Sequence, residues 1–290
     1  MTQLIRIPEM QPDRGVSAPR GNLRMLADFV AAHPDVLVIT GAGVSTGSGI
    51  PAYRDGQGRW LQRRPVLYQN FIGREQTRHR YWARSFIGWP LMKAAEPNPA
   101  HHALAALERA GRIGPVITQN VDGLHRRAGQ KRLVELHGRL DRVRCLDCRT
   151  VSTRDRLQQR LEALNRGWTA EHSRVNADGD VEIDEDAWPD FRPADCDICG
   201  GMLKPEVVFF GEAVPAPVRR AADEALEGAG AVLVAGSSLA VGSAYRLVRT
   251  ASQRGLPVAA LNQGRTRADE LLDFKVEGAT NTALAALADS

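Results

Sequence analysis

Residues 36–60 read VLVITGAGVSTGSGIPAYRDGQGRW, an apolar run closed by a threonine and followed at once by a glycine-rich turn. A buried strand feeding such a turn opens an α/β phosphate-binding unit, because glycine lets backbone N–H groups come close to a diphosphate. Gly41 and Gly43 match the first two positions of the dinucleotide fingerprint, but Thr46 stands at the third. An acid about 20 residues beyond the first glycine, which would hold a ribose diol, is missing too. That region reads GRWLQRRP (58–65) and has no strand-like run, so the loop departs from the dehydrogenase pattern. Ser45 adds a hydroxyl to the turn, and SGIPAYRD continues it as a polar lid with Tyr53 and Arg54 placed to reach back over a ligand.

Three further runs resemble the first: PVITQN (115–120), AVLVAGSS (231–238) and LPVAALN (256–262), valine-rich and ending in polar or glycine-rich turns. Helix-like patterns lie between them at NLRMLADFVAAH (22–33), HHALAALERAG (101–111) and APVRRAADEALEGAG (216–230). The alternation predicts a doubly wound, Rossmann-like parallel sheet, with ligands at the carboxyl ends of its strands. The tails GAGVS, TQNVDGLH, GSS and NQG therefore form one candidate site. Two insertions interrupt the pattern: an aromatic-rich helical module at about 56–100, and a cysteine-bearing module at 141–203. The main domain then comprises 1–140 and 204–290.

In the tail TQNVDGLH, Asn120 can donate and accept, and Asp122 can accept from an amide or a ribose hydroxyl. His125 reads as an orienting or packing ring. His137, in LVELHGRL, is the best-matched general base in the chain by the ordinary pKa of imidazole. His33, His79, His101, His102 and His172 sit in helix-like or acidic-loop contexts and receive no role.

All four cysteines fall in two pairs, CLDC (Cys145, Cys148) and CDIC (Cys196, Cys199). They admit two disulfides or a redox CxxC, but paired CxxC elements present four thiolates to one tetrahedral zinc ion. With every ligand supplied by protein, that zinc is structural. Between the pairs, acids and the turn-like NADGD (176–180) predict an exposed loop.

The 290 residues, 43% hydrophobic and 25% charged, suit a globular protein with a sizeable core. No apolar stretch approaches the roughly 18 residues that cross a bilayer. MTQLIRIPEMQPDRG at the N-terminus has no apolar signal core and carries acids, so a cytoplasmic protein is expected. The net charge is +4, with arginines concentrated in 59–84 and 126–149. Such clusters suit an acidic partner or nucleic acid, yet a solvated arginine-rich surface accounts for them, and neither nucleic-acid nor membrane binding is expected.

Together, GAGVSTGSGIPAYR, TQNVDGLH, ELHG, CLDC, CDIC, KPEVVFFGE, GSSL and LNQG resemble, in order, the motifs of the sirtuins, the NAD-dependent protein-lysine deacylases. They run from about residue 36 to 264. Tyr53, RRPVLYQNFIG, RYWARSFIGWP, PNPAHHAL and the long acidic insert resemble the class II branch. The chain departs from it at Gly47, where glutamate is frequent, and at Gly123, where alanine is common.

The resemblance implies NAD as co-substrate, acyl-lysine proteins as partners, and release of lysine, nicotinamide and O-acyl-ADP-ribose. It makes His137 the base on a ribose hydroxyl, with Asn120 and Asp122 near nicotinamide and ribose. Gly41, Ala42, Gly43, Ser45, Ile50 and Arg54 become the cofactor loop, with Tyr53 in its lid, and Gln119 touches the ribose. Gly236, Ser237, Ser238, Asn262, Gln263 and Gly264 serve the adenosine side, with Thr280 beside them. By pattern alone VVFFGE (207–212) is a buried strand. By resemblance it borders the substrate channel, through Val208 and Phe209. Mono-ADP-ribosyl transfer from the same pocket and a non-catalytic NAD-binding module are the rival readings.

Overall fold

The computed structural model describes residues 17–61, 65–184 and 186–289. The leader-free reading of residues 1–15, and positions 62–64 of the helical insertion, lie outside the described residues.

Helix α1 (Leu23–Ala32) starts where the Asn22 side chain accepts the Met25 N–H at 2.9 Å, relieving one orphan donor of the first turn. It leads into β1 (Leu37–Thr40), buried along its whole length. The helical insertion follows as α2 (Tyr68–Gly73) and α3 (Glu75–Ala94). Helix α4 (Pro99–Arg109) is set by Asn98, whose side chain caps its N-terminus ahead of Pro99 at the first helical position. Next come β2 (Val116–Thr118), the short α5 (Leu124–Arg127) and β3 (Leu133–Glu135).

The second insertion holds β4 (Gly138–Cys145), β5 (Val151–Thr153), α6 (Arg154–Leu164), the β6–β7 hairpin (His172–Val175, Val181–Ile183) and β8 (Leu203–Val207). The chain closes with α7 (Ala216–Glu227), β9 (Val232–Ala235), α8 (Gly242–Gln253), β10 (Val258–Leu261), β11 (Phe274–Val276) and α9 (Thr280–Asp289).

Among the described residues, six strands form one parallel sheet in the order β11-β10-β9-β1-β2-β3. Strand β1 is central, with Val38 paired to Val116 on one side and Leu233 on the other. Alternate residues serve opposite layers. Val38 joins Leu26, Leu104 and Leu284 of α1, α4 and α9, whereas Leu37 and Ile39 join Leu226 and Leu247 of α7 and α8. Each such fully buried aliphatic side chain contributes about 1.5–3 kcal/mol.

The order reverses between β1 and β9, which places a crevice at their carboxyl ends. The turns after both strands interlock there. A Cβ on Gly43 would lie 2.8 Å from Gly236 Cα, and one on Gly236, whose φ is +60°, would lie 2.6 Å from Val44 N. Glycine is thus required for the close approach of two backbones, beyond any ligand contact.

The second insertion builds an antiparallel sheet, β5-β4-β8. Its strands run from Gly138 to Val207, so the expected limits of 141 and 203 fall inside β4 and β8. Its core is shared with the helical module: Phe71, Tyr81 and Trp82 pack in one cluster with Val143, Leu161 and Leu203.

Three expectations change. VVFFGE is not a strand: β8 ends at Val207, and Phe210 keeps only a single bridge, to Leu67. Edge strands β3 and β11 lack a valine-rich run and are only three residues long. NADGD is not an exposed loop. It is the tip of the β6–β7 hairpin, with Asn176 and Asp180 4% and 2% exposed, because Arg84 of α3 neutralises it.

Candidate functional site

The carboxyl edge of the sheet opens into a cavity of about 770 Å³. Gly41, Ala42, Gly43, Tyr53 and Arg54 line it from the first loop, and Gln119, Asn120 and His137 from the β2 and β3 ends. Gly236, Ser237, Ser238, Asn262, Gln263 and Thr280 line the opposite part, and Val208 and Phe209 the side nearer the small unit. Ser45, Ile50, Asp122 and Gly264 stand behind this wall.

Ser45 is 1% exposed and does not line the cavity. Its hydroxyl donates to Asp122 Oδ2 at 2.7 Å and accepts from Asn120 Nδ2 at 2.9 Å. Asn120 also donates to Gly41 O at 3.1 Å, tying the β2 tail to the first loop. Asp122 accepts the Leu124 N–H at 2.8 Å. Burial pushes its carboxyl above the usual range, against the pull of these hydrogen bonds. Behind Ser45, His101 caps α4 and lies 3.5 Å from the serine hydroxyl, and its ring meets His125 edge-on with centroids 4.8 Å apart. His125 in turn meets Thr40 Oγ1 at 2.9 Å, which fits the packing role expected for it.

Elsewhere the amide and hydroxyl groups hold the loops in register. Gln119 Nε2 donates to Ser237 Oγ at 2.7 Å, bridging the two halves of the sheet. Thr280 donates to Gly43 O at 3.0 Å, and Asn262 to the carbonyls of Gln263 and Gly264. Ile50 packs with Trp89, Leu124 and Val207. The lid folds on itself: Arg54 donates to Gly58 O at 2.7 Å and covers the Trp60 ring at 3.9 Å.

His137 is held at both ring nitrogens. Nδ1 lies 3.1 Å from Gln119 O, and a carbonyl only accepts, so Nδ1 carries the proton. Nε2 is then the lone-pair nitrogen, and the Ser243 hydroxyl donates to it at 2.8 Å. Burial lowers the pKa to about 4, so the ring is neutral at pH 7. The main-chain oxygen of His137 accepts the Val208 N–H at 2.8 Å, linking the histidine to the segment after β8.

Sequence reasoning missed Ser243, Tyr81 and Asp178, all of which line the cavity. Ser243 follows GSSL closely and had a signal in that spacing. Tyr81 and Asp178 reach the cavity from the two insertions, by contacts that no local pattern encodes.

The thiols of the two CxxC pairs converge. Cys145 and Cys199 sulfurs lie 3.5 Å apart, Cys148 and Cys196 sulfurs 3.7 Å, and all four lie within 4.8 Å of one another. No disulfide joins them. Zinc–sulfur bonds of about 2.3 Å in a tetrahedron need sulfurs about 3.8 Å apart, so the set fits zinc with no position left for substrate. Turns closed by Cys145 N–H to Thr150 O and Cys196 N–H to Gly201 O, both 2.9 Å, present the pairs.

A doubly wound sheet, a loop of the dinucleotide type that lacks the third glycine, and an inserted four-thiolate unit define a narrow class of Rossmann-like proteins. The chain belongs to the Sir2 family, whose model matches residues 41–243. It is 51% identical over 271 residues to the NAD-dependent protein deacetylase of Xanthomonas axonopodis pv. citri, covering 93% of this chain and 92% of that one. To NAD-dependent protein deacetylase 2 of Bradyrhizobium diazoefficiens it is 50% identical over 271 residues, covering 93% and 99%. A solved structure described as "Sir2-p53 peptide-NAD+" matches with a TM-score of 0.74 at 28% identity, over 93% of this chain and 98% of that one. A Sir2 homologue–NAD complex matches at 0.72 and 30%, over 94% of each chain.

Proposed function

We propose that this chain is an NAD-dependent protein-lysine deacetylase acting through His137. The observation that carries the reading is the state of that ring: neutral, with Nδ1–H fixed on Gln119 O and Nε2 facing a hydroxyl inside the cavity. A lone pair held this way accepts a proton from a sugar hydroxyl bound there.

The lining suits NAD. Ser237, Ser238, Asn262, Gln263 and Thr280 offer the hydroxyl and amide groups an adenosine needs, and Gly41, Ala42 and Gly43 offer backbone beside a diphosphate. Bound there, NAD supplies an electrophilic sugar carbon whose cationic nicotinamide departs without acid assistance. Asn120 orients the nicotinamide side. Ser45, Ile50 and Asp122 support that wall from behind, and Gly264 supports the Asn262 side chain. Tyr53 and Arg54 exclude water from above. Val208 and Phe209 wall the stem of an acyl-lysine, and the backbone beyond β8 pairs with an extended peptide.

We assign NAD binding to 1–140 with 204–290, and structural zinc binding to 141–203 through Cys145, Cys148, Cys196 and Cys199. We place the protein in the cytoplasm, without nucleic-acid or membrane partners; no helix among the described residues is long and apolar enough to cross a membrane.

Mass spectrometry of the protein with NAD and an acetyl-lysine peptide tests the reading. NAD-dependent loss of acetyl with release of nicotinamide is expected. Labelled-NAD transfer to protein without any acyl substrate, and no deacetylation, would replace it with ADP-ribosyl transfer.

A further inference from the structure

The tip of the β6–β7 hairpin ends in the wall of the cavity. It is pressed onto α3 and the strands beneath. A Cβ added at Gly88 would lie 2.4 Å from Gly179 O, and one at Gly179 would lie 2.6 Å from Leu140 Cδ1. This close seat carries Asp178 to the cavity, where Tyr53 and Tyr81 also line it. Both phenols are pushed upward by burial first and by the Asp178 charge next, as groups close to a carboxylate are.

The other polar groups of the tip are engaged with one another. Arg84 donates to Val181 O at 2.7 Å, Asp180 Oδ1 at 3.1 Å and Glu182 Oε1 at 3.0 Å. The Asn176 amide donates to the same two carboxylates. Asp178 Oδ1 is shielded from solvent and has no hydrogen-bond partner, and the same holds for Asn176 Oδ1, but of the two residues only Asp178 lines the cavity. Burial raises the Asp178 and Asp180 carboxyls, and the charge of Asp178 raises Asp180 further. A buried acceptor with no donor is costly, and a ligand that brings one removes the cost.

Packing shows which ligand part arrives there. From His137 the chain of contacts runs to Val208 through the backbone hydrogen bond, and then to Phe209. The Phe209 ring meets Tyr81 at 5.4 Å, and Tyr81 stands next to Asp178. Val66, Val121, Val207 and Phe209 line the same cavity and give this part of it an apolar wall. A cavity wall that is apolar around Val208 and Phe209 and carries the Asp178 carboxylate matches an acyl chain with an apolar stem and a polar end.

We propose that Asp178 is a specificity-determining residue for the acyl group, favouring chains that end in a hydrogen-bond donor, ammonium or hydroxyl, and disfavouring chains that end in a carboxylate. This rests on the deacylase reading and names the substrate class of the same cavity. A terminal carboxylate would bring a second negative group against the Asp178 carboxylate, and the Arg84 guanidinium of the hairpin tip is already held by three oxygens.

The test uses the full chain and one peptide sequence whose lysine carries valeryl, γ-hydroxybutyryl, γ-aminobutyryl or succinyl, similar in length and different in terminus. Binding is read by fluorescence polarisation, and NAD-dependent turnover by mass spectrometry. The γ-aminobutyryl peptide should exceed valeryl by about tenfold or more in binding and in kcat/KM, with γ-hydroxybutyryl between them and succinyl last. Asp178→Asn should collapse the γ-aminobutyryl-to-valeryl ratio toward one and bring succinyl up. If that variant does not fold, the ranking in the wild-type chain decides alone. Turnover with valeryl equal to or above both donor-terminated chains overturns the proposal and leaves the deacylase reading intact. The expected ranking in binding without turnover of any peptide upholds the subsite and overturns the reaction. Binding of none overturns both.

Discussion

The Ser243 hydroxyl donates to Nε2 of His137 at 2.8 Å, and that single contact marks the nitrogen on which the proposed chemistry depends. The serine sits in the first turn of α8, while the histidine joins β3 to β4. A sugar hydroxyl that reaches Nε2 must exchange with this serine. His137→Ala is expected to cut deacetylation by about 10²–10⁴-fold while NAD binding by calorimetry persists. Ser243→Ala should lower kcat several-fold with little change in KM for NAD, and Ser243→Thr should restore it. A Ser243→Ala enzyme with unchanged kcat would show that the ring needs no second anchor.

The pH dependence of catalysis follows from the same burial. A base whose pKa is about 4 stays competent well below the usual histidine range of 6.5. The acidic limb of kcat/KM from this group is expected near pH 4, read from initial rates across a pH series. A limb near 6.5 would mean that the ring is solvated in the free enzyme.

Stability has a matching signature. His101, His125 and His137 have folded pKa values lowered to about 3, about 4 and about 4, chiefly by desolvation. Below 6.5 the unfolded chain takes up protons that the folded chain refuses. Stability is therefore fully present above 6.5 and is lost as pH falls from there toward 4. The loss is on the order of 2 kcal/mol per histidine by about pH 5. Urea midpoints measured at about pH 7.5 and about pH 5 check the direction.

Removal of zinc should loosen the small unit, because without the ion the four thiolates no longer tie the two CxxC turns together. One zinc per chain is expected by elemental analysis. Chelation, or Cys199→Ser, should lower the melting temperature and abolish turnover together.

Arg84 is a buried cation between Asp180 and Glu182, with 8% of its side chain exposed. Arg84→Met leaves two buried carboxyl groups without it and is expected to cost about 3–5 kcal/mol, measured by thermal unfolding. It should also loosen the hairpin tip, so protease cleavage within 172–183 should rise.

The parallel sheet was readable because β1, β2, β9 and β10 are buried on both faces and so are apolar without interruption. The thiolate set was readable because spacing alone brings each pair together. Edge strands β3 and β11 escaped, since three residues are too few to carry a periodic signal. The inward turn of Ser45 was also hidden: its partners Asn120 and Asp122 lie 75 and 77 residues away, and the hydroxyl is equally at home on phosphate in sequence terms. NADGD looked like a solvated turn because its acids are charged, and the arginine that neutralises them lies 96 residues upstream. Distant charge pairing of this kind leaves no local trace.

The cluster joining Phe71, Tyr81 and Trp82 to Val143, Leu161 and Leu203 makes the two insertions inseparable as parts. Arg154 fastens them again, donating to Ser85 O at 3.1 Å beneath Trp82 and Trp89. A chimaera that exchanged either segment alone with a relative's would expose half an interior. Such transplants succeed only as a matched cassette, which means that drift in one segment constrains drift in the other.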